Sequence, residues 1–162
     1  MSDTHVEWTH QPTATGGQRT RRRGRAERME LLGRVPLFRD LAKTHLRQIA
    51  DISGSRHVRA GERLVQQGAP GSVFFVIVEG TARVVRGTRT LGRLGPGDFV
   101  GEMSILTGAP RTASVVAQTP VECLTLSASN LRAVLRREPV IAMRMLECLA
   151  ERLTEVDRSL SA

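Results

Sequence analysis

At 162 residues the chain is long enough for one compact domain with a core of its own, and too short for two. A composition 40 % apolar and 25 % charged excludes wholesale disorder, while 3 % aromatic residues with no Tyr leave little for recognising single-stranded nucleic acid by stacking. The net charge is +8, and Lys43 is the only lysine among 24 basic residues, so the chain favours anionic partners through arginine.

Residues 1–27 mix Thr, Gln, Gly and Pro and end in the basic run Arg19, Arg21, Arg22, Arg23 and Arg25, which has no apolar period. A flexible basic arm is predicted, ahead of a single domain over 28–162. Over 28–53 the apolar residues Leu31, Leu32, Leu37, Phe38, Leu41, Leu46 and Ile49 recur mostly at helical spacings, with Pro36 as a break. Two short helices follow from that pattern.

From 55 to 127 the texture changes to short β-branched runs. Turn signals separate them at Ala69-Pro70-Gly71, Glu79-Gly80, Arg86-Gly87, Gly95-Pro96-Gly97-Asp98, Gly108-Ala109-Pro110 and Thr119-Pro120. Runs bounded this regularly predict an antiparallel, jelly-roll-like β-roll of about eight strands. After Ser127 the pattern is helical again: Ser127 or Ser129 can cap a helix through Arg136, and Pro139 can open a longer one, the helices together filling 128–160. The second helix carries Leu146, Leu149, Leu153, Val156 and Leu160 at alternating spacings of three and four. Such a stripe is a docking face or a short coiled-coil seam, and the seam would make a homodimer. The fold class expected is therefore α+β.

Cys123 and Cys148 form no C-x-x-C pair and are expected to be buried thiols. The longest apolar run, Val73 to Val78, is far short of the ~20 residues that span a membrane, and the N-terminus carries no hydrophobic signal region. A cytoplasmic location without membrane insertion is expected.

One segment, 99–117, breaks the strand texture with a turn, a helical stretch and a loop. Gly101 would let the backbone approach a ligand, and the amides of Glu102, Met103 and Ser104 would lie at a helix N-terminus, where unpaired N–H groups attract an anion. Arg111, after the Gly-Ala-Pro turn, would bring a guanidinium to the same place. A carboxylate beside a phosphate site is unfavourable unless it has its own donor, and a sugar hydroxyl next to that phosphate suits Glu102. Phosphate plus sugar hydroxyl suggests a nucleotide. The same residue types would also serve as a capping Glu and a surface Arg in an ordinary loop.

Gly101-Glu102-Met103-Ser104-Ile105-Leu106 followed by Pro110-Arg111-Thr112-Ala113-Ser114-Val115 resembles the phosphate-binding cassette of the cyclic-nucleotide-binding domain family. That family includes the catabolite activator protein, kinase regulatory subunits and the cytoplasmic domains of cyclic-nucleotide-gated channels. The resemblance covers roughly residues 34–156, taking in Val35-Pro36-Leu37-Phe38, Gly61-Glu62, Phe75-Val76-Ile77-Val78-Glu79-Gly80 and Leu94-Gly95-Pro96-Gly97-Asp98. It implies that Gly101 and Met103 offer backbone donors, that Glu102 holds the ribose 2′-hydroxyl and that Arg111 pairs with the cyclic phosphate. Thr112 would add a hydroxyl toward the phosphate or purine, the Ala113 amide would complete the cradle, and Val84 would line the base and sugar. Arg152 falls where channel-type domains place a residue that closes over the base, and the C-terminal helix is expected to close over the ligand with Leu146, Leu149 and Leu153 and to signal to a partner domain or protein. The expected ligand is a cyclic purine nucleotide, cAMP before cGMP, with no other cofactor. The effector domain or protein is not indicated.

Other classes share parts of this pattern. A metal-dependent barrel enzyme of the cupin kind needs clustered His and carboxylate ligands, but the histidines are His5, His10, His45 and His57, none beyond the first strand of the roll. No metal site and no enzyme activity are expected. A Rossmann reading of Gly95, Gly97 and Gly101 fails on spacing and on Pro96. Transcription regulators of the catabolite activator (Crp/Fnr-like) type place a helix-turn-helix after the long helix, where this chain ends. The alternative is thus the sensor part of a dimeric regulator without its DNA-binding domain, in which nucleic-acid contact would rest on the N-terminal arginines and be non-specific. Some domains of this fold have lost their ligand, usually by replacing the Arg or the Glu, and both are present here.

Overall fold

A computed structural model of the chain describes residues 23–161, so most of the predicted arm, residues 1–22, lies outside the described residues. Helix α1 (Arg25–Arg34) starts before the expected boundary at 28, because Gly24 serves as its N-cap and Arg23 already holds Glu27 in its first turn. Val35 to Leu41 then turn the chain, with Val35, Leu37 and Phe38 buried, before α2 (Lys43–Ile52). Pro36 sits in that turn, where its fixed φ and missing N–H cost no helical hydrogen bond.

Eight strands follow: β1 (Gly54–Val58), β2 (Arg63–Val65), β3 (Val73–Glu79), β4 (Ala82–Arg86), β5 (Arg89–Leu94), β6 (Phe99–Val100), β7 (Ser114–Ala117) and β8 (Val121–Ser127), with the short helix α3 (Glu102–Thr107) between β6 and β7. All pairings are antiparallel, in two sheets ordered β1-β8-β3-β6 and β2-β7-β4-β5. The continuous apolar run of β3 is explained by burial on both faces. Phe75 and Ile77 pack between the sheets with Val115, Ala117 and Cys123, while Phe74 and Val76 pack toward the helices with Leu124 and Leu126.

Helix α4 (Ala128–Arg137) is capped by Ser127, whose Oγ accepts from the Asn130 amide at 3.2 Å, so Ser127 and not Ser129 is the cap. Helix α5 (Pro139–Ser161) anchors its first two turns through buried Ile141 and Met145. Further along, Leu146, Leu153, Val156 and Leu160 are more than half exposed. Cys123 is buried, with burial pushing its thiol up to about 12, but Cys148 is only half-buried on α5, a correction to its expected burial. No helix among the described residues is long and apolar enough to cross a membrane.

Candidate functional site

The short helix α3 interrupts the roll between two left-handed glycines, Gly101 at φ 103° and Gly108 at φ 74°. A Cβ on Gly101 would sit 2.6 Å from the Val73 carbonyl oxygen and 2.8 Å from Nη1 of Arg111. The glycine is required by that crowding and by its φ. Its carbonyl accepts from Arg111 Nη1 at 3.0 Å, and the Val73 carbonyl accepts from Nη2 at 2.7 Å. The Arg111 backbone is pinned as well: its N–H donates to Ala69, and its carbonyl accepts from Gly68, both at 2.8 Å. The guanidinium is thereby fixed before any ligand arrives. It is 8 % exposed and has no carboxylate at ion-pair distance among the described residues.

Glu102, the first residue of α3, is buried beside it at 3 % exposure. One oxygen, Oε1, accepts from Arg152 Nη1 of α5 at 3.0 Å, and the other, Oε2, is buried with no partner among the described residues. Burial pushes the Glu102 carboxyl above the usual carboxylate range, opposed by its own amide and by the charges of Arg152 and Arg111. Burial also lowers the Arg111 pKa, with Glu102 opposing. A guanidinium remains charged under these conditions.

These groups form the floor of a cavity of ≈ 420 Å³. Every residue singled out in the sequence borders it: Gly101, Glu102, Met103 and Ser104 from α3 and its cap, Arg111, Thr112 and Ala113 from the following loop, Val84 from β4, and Arg152 from α5. Ser104 is buried, whereas Met103 and Thr112 are exposed. Residues 91–94 of β5 form the outer rim.

Sequence reasoning missed other members. Gly71 was read only as a turn residue, yet a Cβ there would lie 2.3 Å from Ser104 Cβ and 2.8 Å from the Arg111 guanidinium carbon. Phe99 supports Arg152 twice, its ring 4.7 Å below the guanidinium and its carbonyl accepting from Nη2 at 2.9 Å. From α5, Glu155, Val156 and Ser159 reach the cavity beside Arg152, whereas Leu146, Leu149 and Leu153 do not line it. Leu149 packs against the core instead, while Leu146 and Leu153 face away. Only Val156 of the stripe could have been found by spacing.

The sequence profile of the cyclic nucleotide-binding domain matches residues 55–138, the roll and the start of the C-terminal helices, with the whole cavity floor inside it. The chain belongs to this family. The domain is 38 % identical over 130 residues to a cyclic nucleotide-gated potassium channel of Mesorhizobium japonicum, covering 80 % of this chain and 36 % of that one. It spans roughly a third of the curated relatives it matches, 36 % and 29 % of their lengths. Among solved structures it is similar to the catabolite activator protein of Thermus thermophilus, with 35 % identity and a TM-score of 0.70 over 78 % of this chain and 62 % of that one. It is also similar to the regulatory subunit of a cAMP-independent protein kinase A from Trypanosoma brucei, with 25 % identity and a TM-score of 0.73 over 84 % and 51 %. A fold shared by gated channels and a cAMP-independent subunit does not decide the ligand of a cyclic nucleotide-binding domain. The cavity's own residues must.

Proposed function

We propose that the domain is a cytoplasmic sensor, not an enzyme, that binds a 3′,5′-cyclic purine nucleotide, cAMP in preference to cGMP. The observation that carries this reading is the pairing on one cavity floor of a fixed, buried guanidinium, Arg111, with a buried carboxylate oxygen, Glu102 Oε2, where among the described residues the first lacks a carboxylate partner and the second a donor. Each lacks what a cyclic nucleotide supplies. The phosphate brings an anion to Arg111, and the adjacent ribose 2′-hydroxyl brings a donor to Oε2. The cavity's ≈ 420 Å³ falls within the range of ~300–1,000 Å³ usual for small-molecule sites.

In this reading the backbone donors of Gly101, Met103 and Ala113 complete the phosphate cradle, with Ser104 behind them, and Val84 packs on the sugar and base. Thr112 stands at the exposed side, where its hydroxyl meets phosphate or purine. Helix α5 supplies the remaining wall through Arg152 and Val156, so ligand binding favours a closed position of α5, which a linked domain or partner reads. The match to part of a gated channel supports a receiver role within a larger assembly. Calorimetry with cAMP and cGMP tests the proposal. Binding of neither overturns it, and cGMP bound tenfold more tightly, a difference of ~1.4 kcal/mol, reverses the purine preference.

A further inference from the structure

We propose that the outer face of the β2-β7-β4-β5 sheet docks onto an anionic lipid bilayer. Val84 and Val115 are register partners and line the nucleotide cavity, so the residues between them along β4 and β7 point to the opposite face. On that face Arg63 pairs with Val116, Val116 with Arg83, and Arg83 with Arg93, a single row crossing all four strands. All three arginines are exposed, and none has an ion-pair partner among the described residues. Over the segments that build this sheet and its turns, 59–67, 81–95 and 112–118, six arginines stand against one acid, Glu62.

This arrangement works against folding. Arg83 and Arg93 are directly opposite on neighbouring strands, as are Arg86 and Arg89, and like charges so placed destabilise a sheet. Charged side chains on β2 and β5 would be explained by protection of sheet edges, since those strands are outermost. Arg83 is not so explained, because β4 is flanked by β7 and β5. Solubility would be served equally well by interspersed acids, and the four strands carry none.

The chemistry that relieves such a row is a phosphate-bearing surface, which the guanidinium fork binds through two parallel hydrogen bonds. Its shape narrows the class. With strands about 4.8 Å apart, the row is about 15 Å wide, and its arginines rise from one sheet face around half-buried Val116. No Phe, Trp or Tyr lies in these segments to stack on a base. An exposed, cationic, non-aromatic face without acids on its strands complements a plane of acidic headgroups. Because Arg63 and Arg83 do not border the cavity, docking through them leaves the nucleotide site open.

The test is co-sedimentation of the full chain with phosphatidylcholine vesicles containing roughly three parts in ten phosphatidylserine, compared with the double variant R63Q/R83Q. Arg93 is spared because it also borders the cavity. The wild type should partition onto the acidic vesicles and not onto pure phosphatidylcholine, and the double variant should partition at least about tenfold more weakly. Its melting temperature should not fall, since the change relieves repulsion, and this control does not depend on nucleotide binding. Undiminished binding by the double variant would assign the affinity to the N-terminal arginines and overturn the proposal. So would an absence of vesicle binding, or binding of duplex DNA that needs Arg63 and Arg83 when vesicles do not bind.

Discussion

Arg152 and Glu102 lie fifty residues apart and meet at 3.0 Å, joining the C-terminal helix to the cavity floor through one oxygen of a carboxylate whose other oxygen is buried and, among the described residues, unpaired. The helix and the proposed ligand thus share one charged group without competing for the same atom. Arg152 favours the ionised form of Glu102, and the ionised form is the better acceptor for a sugar hydroxyl. Arg152→Ala should therefore weaken cAMP binding by about 1–2 kcal/mol, with Arg152→Lys restoring part of it. Calorimetry on both variants checks this, and equal affinity in Arg152→Ala and the wild type would disconnect the helix from the site.

The same carboxylate gives a pH prediction whose sign is set by burial. Glu102 is raised in the folded chain, so the folded state holds that proton more tightly than the unfolded one. Its contribution to stability is complete below the ordinary carboxylate range and is lost as pH rises through the raised value. Glu102→Gln should remove that part of the pH dependence. Chemical denaturation at several pH values above the ordinary carboxylate range reads it directly, and an unchanged slope in the variant would show that Glu102 does not titrate there.

Arg111→Ala should cost at least about 2 kcal/mol of nucleotide affinity, because a phosphate would be buried without its charged partner. Gly71→Ala should reach the same outcome indirectly. Its methyl group would collide with Ser104 and the Arg111 guanidinium, costing about 1–3 kcal/mol of stability by overpacking as well as displacing the cation. Calorimetry paired with thermal melts separates the two, since Arg111→Ala should lose affinity with a smaller change in melting temperature.

The division between what was readable in the sequence and what was not follows the range of the forces involved. Turns at Gly80, Gly87 and Gly97 take left-handed backbone that favours glycine, so local chemistry marked the strand ends, and Ser127 marked a helix start by the same logic. Glu102 and Arg111 stood out because a short segment carries both. Gly71 did not, since its reason is an arginine forty residues later. Arg23 was hidden in a polar run without period, although its partners Glu79 and Glu122 come from β3 and β8. On α5 the spacing of three and four identified a stripe but not its orientation, and the cavity is reached by Val156 of that stripe together with Glu155 and Ser159 beside it.

Arg23 also anchors the start of the described chain. Its guanidinium donates to both oxygens of buried Glu122, through Nε to Oε1 and through Nη2 to Oε2 at 2.6 Å, with His57 3.9 Å away. Those hydrogen bonds hold the Glu122 carboxyl below the usual range against the effect of its burial. Here the folded pKa is depressed, so the stabilisation is present above the ordinary carboxylate range and is lost as pH falls through the lowered value. Arg23→Ala should destabilise the domain by about 2–3 kcal/mol at neutral pH by stranding the carboxylate, and Glu122→Gln in the same chain should recover part of the loss. Denaturant melts should show the gap between Arg23→Ala and wild type closing in acid. A constant gap would place the effect in packing.

Helix α5 provides the last prediction. Its first turns are held by Ile141 and Met145, whereas from Leu153 onward its apolar side chains Leu153, Val156 and Leu160 are more than half exposed. Between those regions the polar ties to the roll run through Arg152, to Glu102 and to Phe99. A segment whose apolar side chains are mostly exposed opens at low cost, so its amides should exchange quickly in the free protein. A nucleotide filling the space between Arg111 and Val156 would add contacts only when α5 is closed, shifting the population toward that state. Hydrogen exchange over 146–159 should therefore slow on addition of cAMP, with a much smaller change over 139–145. The leucine stripe provides the contrary outcome: Leu146, Leu153 and Leu160 recur every seven residues, and a second copy covering them would protect the helix with or without nucleotide. Equal protection in both states, together with a dimer by sedimentation that Leu153→Glu dissociates, would make α5 a fixed seam and remove it from the response to ligand.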